Sequence, residues 1–213
     1  MNRQKLIEDQ LIKTTNYQNY NGWGNRRTDF GYHSFDIDEI HIRGQRIPKD
    51  RLNKIRNMIS LENKNIIDFG CNVGGMLFHI PEMKNGLGFD YDINCVTAAN
   101  NIKNILCNNK ATFHQFDLDK SNYETLKDFI SFKPDIIFLL SIGKWITNIE
   151  KLFDFCIKYE SDIVLETNNK QTEKHHINYF NKNSYESILI SDKSDDDILK
   201  KNYKRKTYLF RKV

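Results

Sequence analysis

Proline and glycine are scarce in this chain, 3 and 10 among 213 residues, which excludes collagen-like and linker-dominated architectures. No apolar run approaches the ~20 residues needed to cross a bilayer. The opening stretch MNRQKLIEDQLIKTT is charged throughout and lacks the apolar core of a secretion signal. The cysteines (Cys71, Cys95, Cys107 and Cys156) never fall at Cys-x-x-Cys spacing, so neither a disulfide framework nor a structural zinc site is expected. These absences point to a cytoplasmic protein with reduced thiols. A large excess of one charge is missing too. Net charge is +4 with His neutral, well short of a dedicated nucleic-acid binder.

What the chain does hold is apolar volume. Apolar residues make up 39% and charged residues 28%, with 14 Phe, 10 Tyr and 2 Trp, enough for a sizeable core and too much for wholesale disorder. A length of 213 residues fits one domain with an extension, or two very small ones. Basic residues crowd the C-terminus (Lys200, Lys201, Lys204, Arg205, Lys206, Arg211 and Lys212) after an acidic patch at Asp192, Asp195, Asp196 and Asp197. The simplest reading of the basic run is a solvated edge strand whose lysines oppose aggregation.

From residue 63 onward, short β-branched runs alternate with helical patterns. Strands are expected at 65–69, 86–91, 111–116, 134–141 and 162–166, with helices at 75–80, 94–106, 123–130 and 148–159. In the last helix Ile149, Leu152, Phe153, Cys156 and Ile157 share one face. Strand–helix–strand repetition means right-handed crossovers and a mostly parallel sheet. After a helix near 172–180 come two strands, 185–191 and 206–211, with no helix between them. An α/β sheet that finishes in a hairpin is unusual for dinucleotide-binding dehydrogenases.

Residues 1–62 read as a separate N-terminal extension. A helix over 1–14 is followed by the aromatic stretch NYQNYNGWGNRRTDFGYHSF and then by a helix that Asp50 is placed to cap. The segment 15–46 is too aromatic for a linker and is expected to form a lid over the functional edge of the sheet, with residues 63–213 as the cofactor-binding domain.

The chemistry is concentrated in NIIDFGCNVGG, residues 65–75, where a strand runs into a glycine-containing turn and then a helix. Gly70 and Gly74 permit a tight turn and close approach of backbone to a ligand. Asp90 ends the second strand, twenty residues after Gly70, where a carboxylate accepts hydrogen bonds from ribose hydroxyls. A pyrophosphate loop would want glycine at position 72, which is Asn, and the carboxylate of Asp68 would repel phosphate but welcome a sulfonium ligand with an α-ammonium group. Asp117, after the third strand, suits an adenine amino group.

In these features the chain resembles the class I S-adenosylmethionine-dependent methyltransferases. Their first motif corresponds to Asp68-Phe-Gly70-Cys71-Asn72-Val-Gly74, their ribose-binding acid to Asp90 beside Tyr91, and their adenine-contacting acid to Asp117 beside Leu118. Their fourth-strand motif corresponds to PDIIFLLSIGKW, with Ser141 where the strand opens onto the site. The departure is Asn72 in place of the middle glycine. The resemblance covers residues 63–213 and implies a Rossmann-like fold with a seven-stranded, mostly parallel sheet ending in an antiparallel hairpin, and S-adenosylmethionine as cofactor. Arg46, in a Gly-Gln-Arg turn, is expected to grip cofactor or substrate carboxylate.

Methyl transfer from a sulfonium needs mainly proximity and alignment, so a strong catalytic constellation is not required. Glu166, His33 and Lys144 are the groups expected around the acceptor. No metal-ligand cluster stands out, and no metal is expected. The Asn-Pro-Pro-Tyr type signature of amino-group DNA methylation is absent, with SIGKW in its place. Two acceptor classes remain open. One is a small polar metabolite or saccharide precursor methylated on oxygen, in keeping with the resemblance of YHSFDIDEIHIRGQR to methyltransferases of sugar and polysaccharide biosynthesis. The other is RNA, because GCNVG and LSIGKWI resemble the bicoid-interacting methyltransferases of RNA 5′-phosphate, although ITNIE departs from the stretch that follows their Lys-Trp pair. A non-catalytic adenosine-binding module is a third reading.

Overall fold

Alternation of strand-forming and helix-forming runs builds a doubly covered sheet. The computed structural model describes residues 2–20, 31–168, 170–198 and 204–213. The elements are α1 (Arg3–Tyr20), β1 (Phe35–Ile37), β2 (Ile40–Ile42), α2 (Pro48–Arg56), β3 (Asn65–Phe69), α3 (Gly75–Phe78), β4 (Asn85–Asp90), α4 (Ile93–Ile105) and β5 (Ala111–Gln115). They continue with β6 (Ile136–Leu140), α5 (Ile149–Ile157), β7 (Asp162–Glu166), α6 (Lys170–Lys182), β8 (Tyr185–Ser191) and β9 (Thr207–Lys212). The seven-stranded sheet has the order β5-β4-β3-β6-β7-β9-β8. Its first five strands are parallel, while β9 runs antiparallel to both β7 and β8. Strand order reverses between β3 and β6, and an open α/β sheet binds ligands at such a switch point, beyond the carboxyl ends of the strands.

The period-2 alternation of each strand sends side chains to two hydrophobic layers. Ile66, Phe138 and Val164 join Ile7 and Leu11 of α1, Leu52 of α2, Leu77 of α3 and Ile102 of α4. On the opposite face Ile67, Phe69 and Leu139 pack with Leu152, Phe153 and Cys156 of α5 and Phe180 of α6. The continuous run IIFLL in β6 is buried throughout because both of its faces are covered.

Several expectations need correction. Residues 123–128 form a 3-10 turn capped by Asn122, not an α-helix. Asp50 lies in the first turn of α2, which starts at Pro48 with Ile47 as its cap residue. The basic strand expected at the edge is β9, which is paired on both sides; the edge strand is β8. Lys200 and Lys201 lie outside the described residues. The ribbon β1–β2 was not foreseen, nor the packing of α1 against α4 in the first hydrophobic layer. Of the expected lid, residues 21–30 lie outside the described residues. Residues 31–34 run beside 44–46: Ser34 N–H donates to Arg46 O at 2.8 Å and Arg46 N–H to Tyr32 O at 2.7 Å. Only glycine fits at position 44, where a Cβ would stand 2.4 Å from the His33 carbonyl carbon.

Candidate active site

The turn after β3 shapes one wall of a cleft of about 470 Å³ at the switch point. Gly70 adopts φ +77, and a Cβ there would come within 2.3 Å of Ile142 Cγ2. Asn72 takes φ +52, a left-handed conformation that Asn tolerates better than most residues, so the departure from glycine keeps the turn. Its backbone N–H donates to Asp90 Oδ2 at 2.8 Å, and Asp92 N–H donates to Oδ1 at 3.0 Å. These two bonds hold the Asp90 carboxylate rigidly at the end of β4. Burial nonetheless raises its pKa to about 6, against the backbone donors that pull it down.

Of the residues expected at the site, Gly70, Asn72, Asp90, Tyr91, Asp117, Leu118, Ser141 and Lys144 line the cleft. Asp117 sits two residues beyond the end of β5, and its Oδ1 accepts from Asp119 N–H at 3.0 Å and Lys120 N–H at 3.2 Å. Asp68, Cys71 and Gly74 do not line it. Asp68 is buried on β3 and its Oδ2 accepts no hydrogen bond from the described residues; burial, with the nearby charge of Asp90, pushes its carboxyl well above the usual range. Cys71 is buried, and its thiol is likewise pushed up by burial, which makes it a poor nucleophile.

The groups expected at the acceptor are divided by the fold. Lys144 lies on the wall in the 3-10 turn Gly143–Trp145, with Nζ 4.2 Å from the Trp145 ring centre. Glu166 and His33 do not reach the cleft. The His33 ring packs on the backbone of Gly75 at the start of α3, 2.5 Å from where a Cβ would stand. Glu166, at the end of β7, has a side chain only 1% exposed. Its Oε1 accepts from Ser141 Oγ and, at 3.3 Å, from Arg46 Nη1; its Oε2 accepts from Arg46 Nη2 at 2.6 Å, and Arg51 Nη2 is an ionic neighbour at 2.8 Å without a hydrogen bond.

Arg46, expected to grip a ligand, is instead spent on protein carboxylates. Besides Glu166 it donates to Asp196 Oδ2 at 2.8 Å and Asp197 Oδ2 at 3.0 Å. Burial would favour the neutral guanidine, but the surrounding acids overcome it and hold Arg46 charged. The cleft residues that the sequence does not single out for the site include Gln45, Asp92, Asp119, Lys120 and Arg205, and Tyr32 lies in the segment read as the lid. Trp145 carried a signal, following Lys144 in the fourth-strand motif. Gln45 and Arg205 carried none, since their place depends on strand pairing far along the chain.

No family model matches this chain, and no curated protein matches it by sequence. Its fold is that of the class I methyltransferases. The N-terminal domain of EvdMO1, solved in the presence of SAH and D-fucose, superimposes with a TM-score of 0.64 at 10% identity over 96% of this chain and 99% of that one. Against EvdMO1 as a longer chain the TM-score is 0.63 at 11% identity, covering 84% of this chain and only 44% of that one, so this chain spans less than half of that protein. The precorrin-6y C5,15-methyltransferase of Geobacter metallireducens gives a TM-score of 0.57 at 15% identity over 84% and 94% of the two chains.

Proposed function

We propose that this chain is an S-adenosylmethionine-dependent methyltransferase whose acceptor is a hydroxyl of a small polar metabolite or saccharide precursor. The observation that carries the reading is the Asp90 carboxylate beside the glycine turn, held by two backbone donors on the wall of the cleft. The residues that line the cleft fit the cofactor: Asp90 suits ribose hydroxyls, and Asp117 and Leu118 suit the adenine, while Asp68 lies buried behind the turn. When bound, S-adenosylmethionine supplies an electrophilic methyl group on a sulfonium centre.

The rest of the work falls to side chains at the other end of the cleft. Lys144, Ser141 and Tyr32 position the acceptor, and Trp145 offers a flat apolar surface to a sugar ring. Glu166 and His33 act from behind the wall, Glu166 by fixing Ser141 and His33 by packing on the turn into α3. Saccharide chemistry draws support from the domain fold shared with EvdMO1, solved with D-fucose present.

Calorimetry should show S-adenosylmethionine and S-adenosylhomocysteine binding at micromolar levels and NAD not binding. Asp90→Ala should weaken that binding by ~1.5–3 kcal/mol, the cost of losing an ionised acceptor. Tight NAD binding, or full affinity in a folded Asp90→Ala variant, would overturn the assignment.

A further inference from the structure

Charges of both signs line the cleft: Asp90, Asp92, Asp117, Asp119 and Lys120 from the loops after β4 and β5, and Lys144 and Arg205 together with the neutral groups of Tyr32, Gln45 and Ser141. Arg205 stands out there because its backbone is fixed and its side chain is not. Ser194 Oγ donates to Arg205 O at 3.2 Å, and the next residue is tied to β7 by Thr167 N–H donating to Lys206 O at 2.8 Å. Among the described residues the guanidinium, 13% exposed, has a single ionic neighbour, Glu166 Oε1 at 3.6 Å, beyond good hydrogen-bond geometry.

The reason lies in Glu166. A carboxylate offers about four lone-pair sites; both on Oε1, the oxygen nearest Arg205, are taken by Ser141 and Arg46, and Oε2 accepts from Arg46 with Arg51 as an ionic neighbour. Arg46 also takes up Asp196 and Asp197, while Gln45 Nε2 donates to both oxygens of Asp197 at 3.2 Å. Among the described residues, Arg205 therefore presents a planar fork of donors on the cleft wall that only the 3.6 Å contact to Glu166 approaches. An arginine in that position matches a planar or tetrahedral oxyanion bidentately.

We propose that the acceptor carries an anionic group, a carboxylate or a phosphate, which Arg205 binds, and that this contact selects the substrate. This rests on the methyltransferase reading above and adds the substrate class. An acidic or phosphorylated sugar satisfies both the anion site and the exposed Trp145 ring. Lys144, on the neighbouring wall, adds long-range attraction.

The test titrates glucose 6-phosphate, glucuronate and uncharged glucose into the protein, with and without saturating S-adenosylhomocysteine, read by NMR line shifts. Either anionic sugar should bind at least tenfold more tightly than glucose, and which of the two wins identifies phosphate or carboxylate. Arg205→Gln should remove that preference, and Arg205→Lys should keep part of it, with affinity for S-adenosylhomocysteine unchanged within twofold. Thermal melting of both variants reports their folding. Equal binding of glucose and both anionic sugars, or an anion preference that survives Arg205→Gln, overturns the proposal. Failure of S-adenosylhomocysteine to bind wild type overturns the methyltransferase reading instead, while the arm without it still reads Arg205.

Discussion

Asp90 is buried, yet it accepts two backbone hydrogen bonds and faces the cleft, so its protonation should govern cofactor binding. Only the ionised form accepts a full set of ribose hydrogen bonds. With its pKa raised to about 6, affinity for S-adenosylhomocysteine should climb as pH rises from 5 to 7 and then level off. That ligand carries no group titrating in this window. The linked effect on folding has the opposite direction: the folded pKa lies above the unfolded value of about 3.9, so the contribution is present at low pH and is lost as pH rises through 6. Calorimetry across that range, with Asp90→Asn as control, checks it. Affinity independent of pH in wild type would refute the role, and a dependence that persists in Asp90→Asn would move the titration to Asp68.

At the level of elements, α6 packs on α5 through a histidine that must stay neutral. His176 is 3% exposed and meets Phe153 edge-on with ring centres 5.1 Å apart. Burial, helped by the charge of the neighbouring His175, lowers its pKa to about 4. The folded value lies below the unfolded one of about 6.5, so the unfolded chain takes up a proton first as pH falls. This contribution is complete above pH 6.5 and drains away toward pH 4, to a limit of about 3 kcal/mol. His176→Phe should lose that dependence. Urea midpoints from pH 7 to 4.5, compared between the two proteins, measure the difference, and parallel curves would show that His176 is exposed before unfolding. The apolar face of α5, against which α6 packs, is legible from spacing alone. By contrast β1 and β2, three residues each, are too short to display an alternation, and they persist because residues 31–47 are pinned elsewhere.

Across the whole molecule that pinning is ionic. Arg46 meets Glu166 across 120 positions of sequence and Asp196 across 150. Ile47 N–H donates to Asp196 O at 3.0 Å, and Ile198 N–H to Gln45 O at 3.1 Å, so the N-terminal segment is stitched to the loop between β8 and β9. A buried pair adds little net stability over an apolar substitute, but breaking one strands its partner. Arg46→Met, which leaves Glu166, Asp196 and Asp197 short of a cation, should cost ~3–5 kcal/mol by chemical denaturation. Lys144→Ala, on the exposed wall, should stay within ~0.5 kcal/mol. Similar losses in both variants would show that the cluster does not hold these segments together.

Local pattern determined the architecture. Alternating β-branched runs and helical faces encode a mostly parallel sheet and its terminal hairpin, and Asp68, Gly70, Asn72 and Asp90 announce the glycine turn because strand, turn and helix are contiguous there. The destinations of Arg46, Glu166 and Arg205 were decided only by the tertiary structure. An arginine before a helix reads the same whether it meets a ligand or three buried carboxylates, and the acids that claim it arrive from β7 and from the loop before β9. Their lone pairs are filled by the fold, which withdraws Glu166 and Arg46 from the cleft and leaves Arg205 facing it.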